Sequence, residues 1–161
     1  MKLVLATQNP KKLKEMNEIL RHLGVEVVSE AELGVRIEVE ETGETFTDNA
    51  RLKATAVMQA TGLPAVADDS GLCVDALNGG PGVYSARFGG EGLDDKGRYT
   101  LLLEMLRGQT DRAAHFHTSI VCAFPNGDEL VCEGECPGTI AFAPMGEGGF
   151  GYDPVFFVPE L

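Results

Sequence analysis

No stretch of this sequence approaches the continuous apolar length that crosses a bilayer. The opening Met1-Lys2-Leu3-Val4-Leu5-Ala6 gives way at once to Thr7-Gln8-Asn9-Pro10, too soon for the apolar core of a signal peptide. A cytoplasmic protein with no membrane partner is therefore expected. Cysteine is sparse as well: Cys73, Cys122, Cys132 and Cys136 are too few and too unevenly spaced for a secreted disulfide framework or a paired C-x-x-C zinc site. Buried free thiols in a reducing compartment are the expectation. Positive charge is the third shortage, with 13 basic against 25 acidic residues and a net charge of −12. That balance excludes a protein that coats nucleic acid by neutralising its phosphates. Internal repeats, low-complexity tracts and linkers are missing too.

What is present fits one compact domain: 161 residues, 43% of them hydrophobic, bury a sizeable core without disulfide help. The basic residues that exist are concentrated. Lys2, Lys11, Lys12, Lys14 and Arg21 meet only Glu15 and Glu18 at the start of the chain, so a phosphate ligand has one local place to be held. The carboxylates elsewhere suit a divalent cation.

Lys2 to Ala6 reads as a short buried strand, followed by a helix with proline at its first position and closed by Gly24. Leu13, Met16, Ile19, Leu20 and Leu23 keep the spacing of its buried face. Val25 to Val28 reads as a second strand. A second helix is expected from Phe46 or Thr47 to Ala60, buried through Phe46, Ala50, Ala54, Val57 and Met58. Leu63 to Ala67 reads as a buried strand that stops in Asp68-Asp69-Ser70-Gly71. A glycine-rich loop then leads to a helix over Leu93 to Arg107, with Leu101, Leu102, Met105 and Leu106 on its apolar face. His115 to Phe124 and Glu129 to Glu135 are strands joined by Pro125-Asn126-Gly127-Asp128, whose Asn-Gly is a hairpin signal. Strands and helices in alternation followed by a hairpin predict an α/β fold with a mixed sheet and helices packed around it.

Four segments carry candidate chemistry. Thr7-Gln8-Asn9-Pro10-Lys11-Lys12 lies at a strand-to-helix turn, where free backbone N–H groups and the positive end of the helix dipole attract an anion. It is not a P-loop, because the glycines and the Gly-Lys-Ser/Thr ending are missing. Asp68 and Asp69 repel one another at the edge of a core unless a cation, a proton or a shared ligand compensates them, which suits Mg²⁺ and a carboxylate free to take a proton from water. The acidic run at Glu38, Glu40 and Glu41 precedes a helix carrying Lys53, and the two face one cleft if the helix starts near Thr45. A solvated charge run is the plainer reading there. Gly149-Phe150-Gly151-Tyr152-Asp153 sets glycines around two rings, a pattern that permits close backbone approach and nucleobase stacking. His115 and His117 share one strand face at a spacing compatible with a metal; no third ligand stands nearby in the sequence, so they read as ordinary strand histidines.

These segments, together with Glu40-Glu41-Thr42-Gly43, Thr45-Phe46, Asn49-Ala50, Lys53-Ala54, Ala67 to Leu72, Gly80 to Arg87 and Gly149 to Pro154, resemble the inosine triphosphate (dITP/XTP) pyrophosphatase family in order and over nearly the whole chain. The resemblance implies a homodimer with two lobes flanking a nucleotide cleft. It implies Mg²⁺-dependent release of pyrophosphate from non-standard purine nucleoside triphosphates such as ITP, dITP and XTP. By the same resemblance Asp69 is the general base and touches the metal, and Glu41 is a Mg²⁺ ligand. Thr7, Gln8, Asn9, Pro10, Lys11, Lys12, Lys53 and Ser70 hold the triphosphate, and Phe150, Gly151, Tyr152 and Asp153 hold the base. Such proteins continue past the position matching Leu161 into a segment with a lysine and a Ser-His-Arg motif; residues 1–161 are expected to form a single domain of this type without it. A nucleotide-binding module without hydrolysis is the alternative.

Overall fold

The computed structural model describes residues 1–7, 10–90, 92–146 and 151–158. The strands are β1 (Lys2–Leu5), β2 (Glu26–Ser29), β3 (Ala65–Val74), β4 (Gly80–Pro81), β5 (Ala113–Ala123), β6 (Glu129–Ile140) and β7 (Phe156–Phe157). They hydrogen-bond in the order β2-β1-β3-β5-β6-β7, with β4 on β3. β1 runs parallel to β2 and β3, whereas β4 and β7 are antiparallel to their neighbours, so the expected mixed α/β sheet is present. The helices are α1 (Pro10–Arg21), α2 (Phe46–Thr61) and α3 (Asp95–Met105). Residues Met1–Asp69 with Ser119–Glu133 form one compact unit, and Ser70–Thr118 with Gly134–Leu161 a second.

In the first unit a parallel strand buried on both faces explains the unbroken apolar run of β1. Because side chains alternate along a strand, Val4 and Ala6 meet Ala50, Ala54 and Val57 of α2, while Leu3 and Leu5 meet Leu13, Met16 and Leu20 of α1. β3 repeats the pattern, with Ala65 and Ala67 on the α2 side and Val66 on the α1 side. In the second unit Leu102 and Leu106 pack with Leu72, Val74, Ala114, Ile140, Tyr152 and Val155.

Four expectations are corrected. β3 does not stop at Ala67 but continues through Asp68-Asp69-Ser70-Gly71 to Val74, because flanking strands supply its ladder and side chains on α1 and α2 accommodate both carboxylates. Ile19 and Leu23 are 60% and 71% exposed: α1 ends at Arg21, before Leu23, and Ile19 lies at the margin of the stripe set by Leu13, Met16 and Leu20. Met105, at the end of α3, is also exposed. All four cysteines are free thiols as expected, but only Cys122 is buried; Cys132 and Cys136 are exposed because β6 is solvated on both faces over most of its length.

Candidate active site

The same alternation that builds the core of the first unit aims its two aspartates in opposite directions. Asp69 follows Ala65 and Ala67 toward α2, where Asn49 Nδ2 donates to its Oδ2 at 3.2 Å. Asp68 follows Val66 toward α1, where Lys12 pairs with it at 2.9 Å. Two adjacent carboxylates thus avoid direct competition for one partner. Lys53, on the second turn of α2, donates to the Asp68 carbonyl at 2.6 Å and pairs with Glu41 at 3.2 Å.

Asp69 is only 8% exposed. Burial pushes its carboxyl above the usual carboxylate range; Lys53 opposes that, repulsion from Glu41 adds to it, and the Asn49 hydrogen bond and Asp68 exert smaller opposing effects. The Asn49 amide is itself oriented, because its Oδ1 accepts from the Gly43 N–H at 2.7 Å. Gly43 permits this approach: a Cβ there would lie 2.6 Å from Asp48 Cβ and 2.7 Å from Asn49 Oδ1. Thr45 caps α2 by accepting from the Asp48 N–H at 3.1 Å, which fixes where the helix begins and so where Asn49 and Lys53 point.

A cavity of about 450 Å³ adjoins these groups, lined by Thr7, Glu30, Glu38, Glu41 and Lys53 among others. Of the residues predicted from sequence, Thr7, Glu41 and Lys53 line it, and Lys12 joins them through Asp68. Pro10 is the first residue of α1 and, like Lys11, is exposed. Gln8, Asn9 and Phe150 lie outside the described residues.

Ser70, Gly151, Tyr152 and Asp153 belong to the second unit. The Ser70 and Thr118 hydroxyls share a hydrogen bond at 2.9 Å. The Gly151 N–H donates to Asp95 Oδ2 at 3.0 Å, and Asp153 is exposed. Tyr152 does not present a free stacking face: its ring is buried in the core, its hydroxyl donates to the Ser85 carbonyl at 2.7 Å, and burial pushes the phenol up to about 12.

Sequence reasoning gave no role to two groups. Asn49, fully buried, orients Asp69; an asparagine inside a helix, where its propensity is poor, was the available signal. Glu30, just past β2 and 5% exposed, faces the cavity with its carboxyl raised by burial against the opposing charge of Arg36. A third group lay beyond the sequence reading of the histidines: Glu135 on β6 brings its carboxylate to His115 and His117.

The model of the Ham1 family matches residues 3–161. This chain belongs to the Ham1 family. It is 54% identical over 162 residues to the dITP/XTP pyrophosphatase of Desulforamulus reducens, covering 99% of this chain and 81% of that protein. It is 50% identical over 161 residues to the dITP/XTP pyrophosphatase of Exiguobacterium sp., covering 100% and 82%. Among solved structures, the HAM1 protein from Coxiella burnetii superposes with a TM-score of 0.93 at 45% identity, covering 99% of this chain and 83% of that one. The Ham1 assignment agrees with the resemblance carried by the sequence motifs, and the described strands and helices are those of a Ham1 fold.

Proposed function

We propose that this Ham1 protein hydrolyses non-standard purine nucleoside triphosphates, ITP, dITP and XTP, to the monophosphate and pyrophosphate, clearing them from the nucleotide pool. The observation that carries the reading is the arrangement of buried Asp69, Glu41 and Lys53 beside a cavity that Thr7 also lines. The names of the relatives at about half identity over the whole chain support it.

The donor set fits Mg²⁺. Glu41, Asp68 and Asp69, with Lys12 and Lys53 paired among them, and Glu30 and Glu38 on the cavity wall offer oxygen donors of the kind a hard cation takes. Glu41 and Asp69 are the residues that would hold it. A divalent cation held there would supply positive charge against the phosphate oxygens. The remaining work falls to the chain itself. Asp69 accepts a proton from the attacking water as the new P–O bond forms at the α-phosphorus and the bond to the pyrophosphate oxygen breaks. Its raised carboxyl is a stronger base than an ordinary aspartate, and Asn49 holds it in place.

Phosphate recognition falls to the first turn of α1, with Thr7 to Lys12, and to Lys53 and Ser70. Lys11 and Lys12 stand at the helix end where cations oppose the dipole, and no acidic residue occupies that turn. An anion at this helix end meets backbone N–H groups and the positive end of the dipole, which supports a phosphate site. The base is held by the 150–153 segment, where Asp95 fixes the Gly151 backbone. The protein is read as a cytoplasmic homodimer on the strength of the family resemblance. Among the described residues, no helix is long and apolar enough to cross a membrane.

A substrate panel tests the reading: with Mg²⁺, ITP, dITP and XTP are turned over well ahead of ATP and GTP. Binding of ITP without turnover would favour the binding-only alternative, and equal turnover of ATP would remove the specificity.

A further inference from the structure

His115 and His117 on β5 and Glu135 on β6 lie in the second unit and have no part in the phosphate chemistry assigned above. The Nδ1–H of His117 donates to Glu135 Oε1 at 3.2 Å, and His115 Nε2 lies 3.8 Å from the same oxygen. One donor atom from each of the three residues lies within 4.8 Å of the other two. Ligands about 2.0–2.1 Å from a tetrahedral ion stand roughly 3.4 Å apart; the 3.2 and 3.8 Å separations to Glu135 lie on either side of that spacing, and the wider 4.8 Å limit closes by rotation of the side chains. An ion pair needs one imidazole, and here two converge on one carboxylate oxygen. A divalent cation between them would satisfy all three groups at once.

The donors decide the class of metal. Two neutral imidazoles and one carboxylate form the borderline N,N,O set that favours Zn²⁺ and its neighbours over Mg²⁺ or Ca²⁺, which prefer oxygen. Three protein ligands leave a fourth position for water, and the half-exposed ring edges and exposed carboxylate leave the site open to solvent. We propose that His115, His117 and Glu135, none of them among the residues assigned to Mg²⁺, form a Zn²⁺-binding site bridging β5 to β6.

The test uses the full chain, stripped of metal with a chelator and titrated with Co²⁺ as a spectroscopic probe and with Zn²⁺ by calorimetry. The expected result is one ion per chain, with the visible bands of four-coordinate Co²⁺ erased by one equivalent of Zn²⁺ and undisturbed by millimolar Mg²⁺. His117→Ala and Glu135→Gln each weaken Zn²⁺ binding by more than about tenfold, since even groups that only support metal ligands change affinity 10- to 100-fold. Glu135 is solvated, so the Glu135→Gln chain keeps its circular dichroism and separates lost ligation from lost folding. Glu41→Gln leaves the Co²⁺ bands in place. An ion pair only, seen as no saturable Co²⁺ or Zn²⁺ binding below millimolar concentration, overturns the proposal. So does binding that survives both the His117 and Glu135 changes, or binding that is lost with Glu41→Gln.

Discussion

Burial in the folded protein raises the Asp69 carboxyl above the usual carboxylate range, and two consequences of opposite sign follow. Its folded value lies above the ordinary 3.8, so the stability it contributes is full at pH below that ordinary value and is lost as pH rises through the raised one. Asp69→Asn keeps the neutral shape and still accepts from Asn49. Its melting temperature at pH 7.5 is therefore expected at or above that of the parent, with the gap closing below about pH 4, near the unperturbed aspartate value. Turnover of ITP by the same variant falls by at least about 10²-fold, the contribution of a positioned base. A variant both destabilised at neutral pH and still active would show that Asp69 has been misread. Its neighbours give a paired test of the electrostatics: Lys53 lowers the Asp69 carboxyl and Glu41 raises it. Lys53→Met moves the acid limb of the kcat/KM profile to higher pH and Glu41→Gln moves it lower, each measured against its own plateau.

At the scale of elements, the site depends on how the turn before α2 is locked. Gly43→Ala forces a Cβ against Asp48 and Asn49, and the Gly43–Asn49 bond must shift. The expected cost is about 1–3 kcal/mol by denaturant unfolding, the range for overpacking, with an activity loss larger than that destabilisation explains. Thr45→Ala removes only the cap, costs about 1 kcal/mol, and leaves the Asn49–Asp69 bond in place. The start of α2 was legible in the sequence because capping and periodicity are local signals. The continuation of β3 through two aspartates was not, because it rests on Lys12 and Asn49, residues far away in the chain. The pairing of Glu135 with His117 was within reach: counting along both strands of an unbroken hairpin from the Phe124–Asp128 bond brings the two opposite one another. The burial of Tyr152 was not legible because an aromatic flanked by glycines looks alike in a base site and in a core turn.

For the whole molecule, a net charge of −12 makes local compensation the rule for any phosphate ligand. A chain that gathers Glu30, Glu38, Glu41 and Asp69 in one unit is expected to bind a nucleoside triphosphate poorly without a divalent cation. Thermal protection by a non-hydrolysed ITP analogue should therefore need Mg²⁺ and vanish with EDTA. The central claim concerns which bond breaks, and hydrolysis of ITP in ¹⁸O-labelled water with Mg²⁺ reads it directly. Attack at the α-phosphorus predicts one labelled oxygen in the inosine monophosphate and none in the pyrophosphate. Label in pyrophosphate or in inorganic phosphate instead would contradict the account.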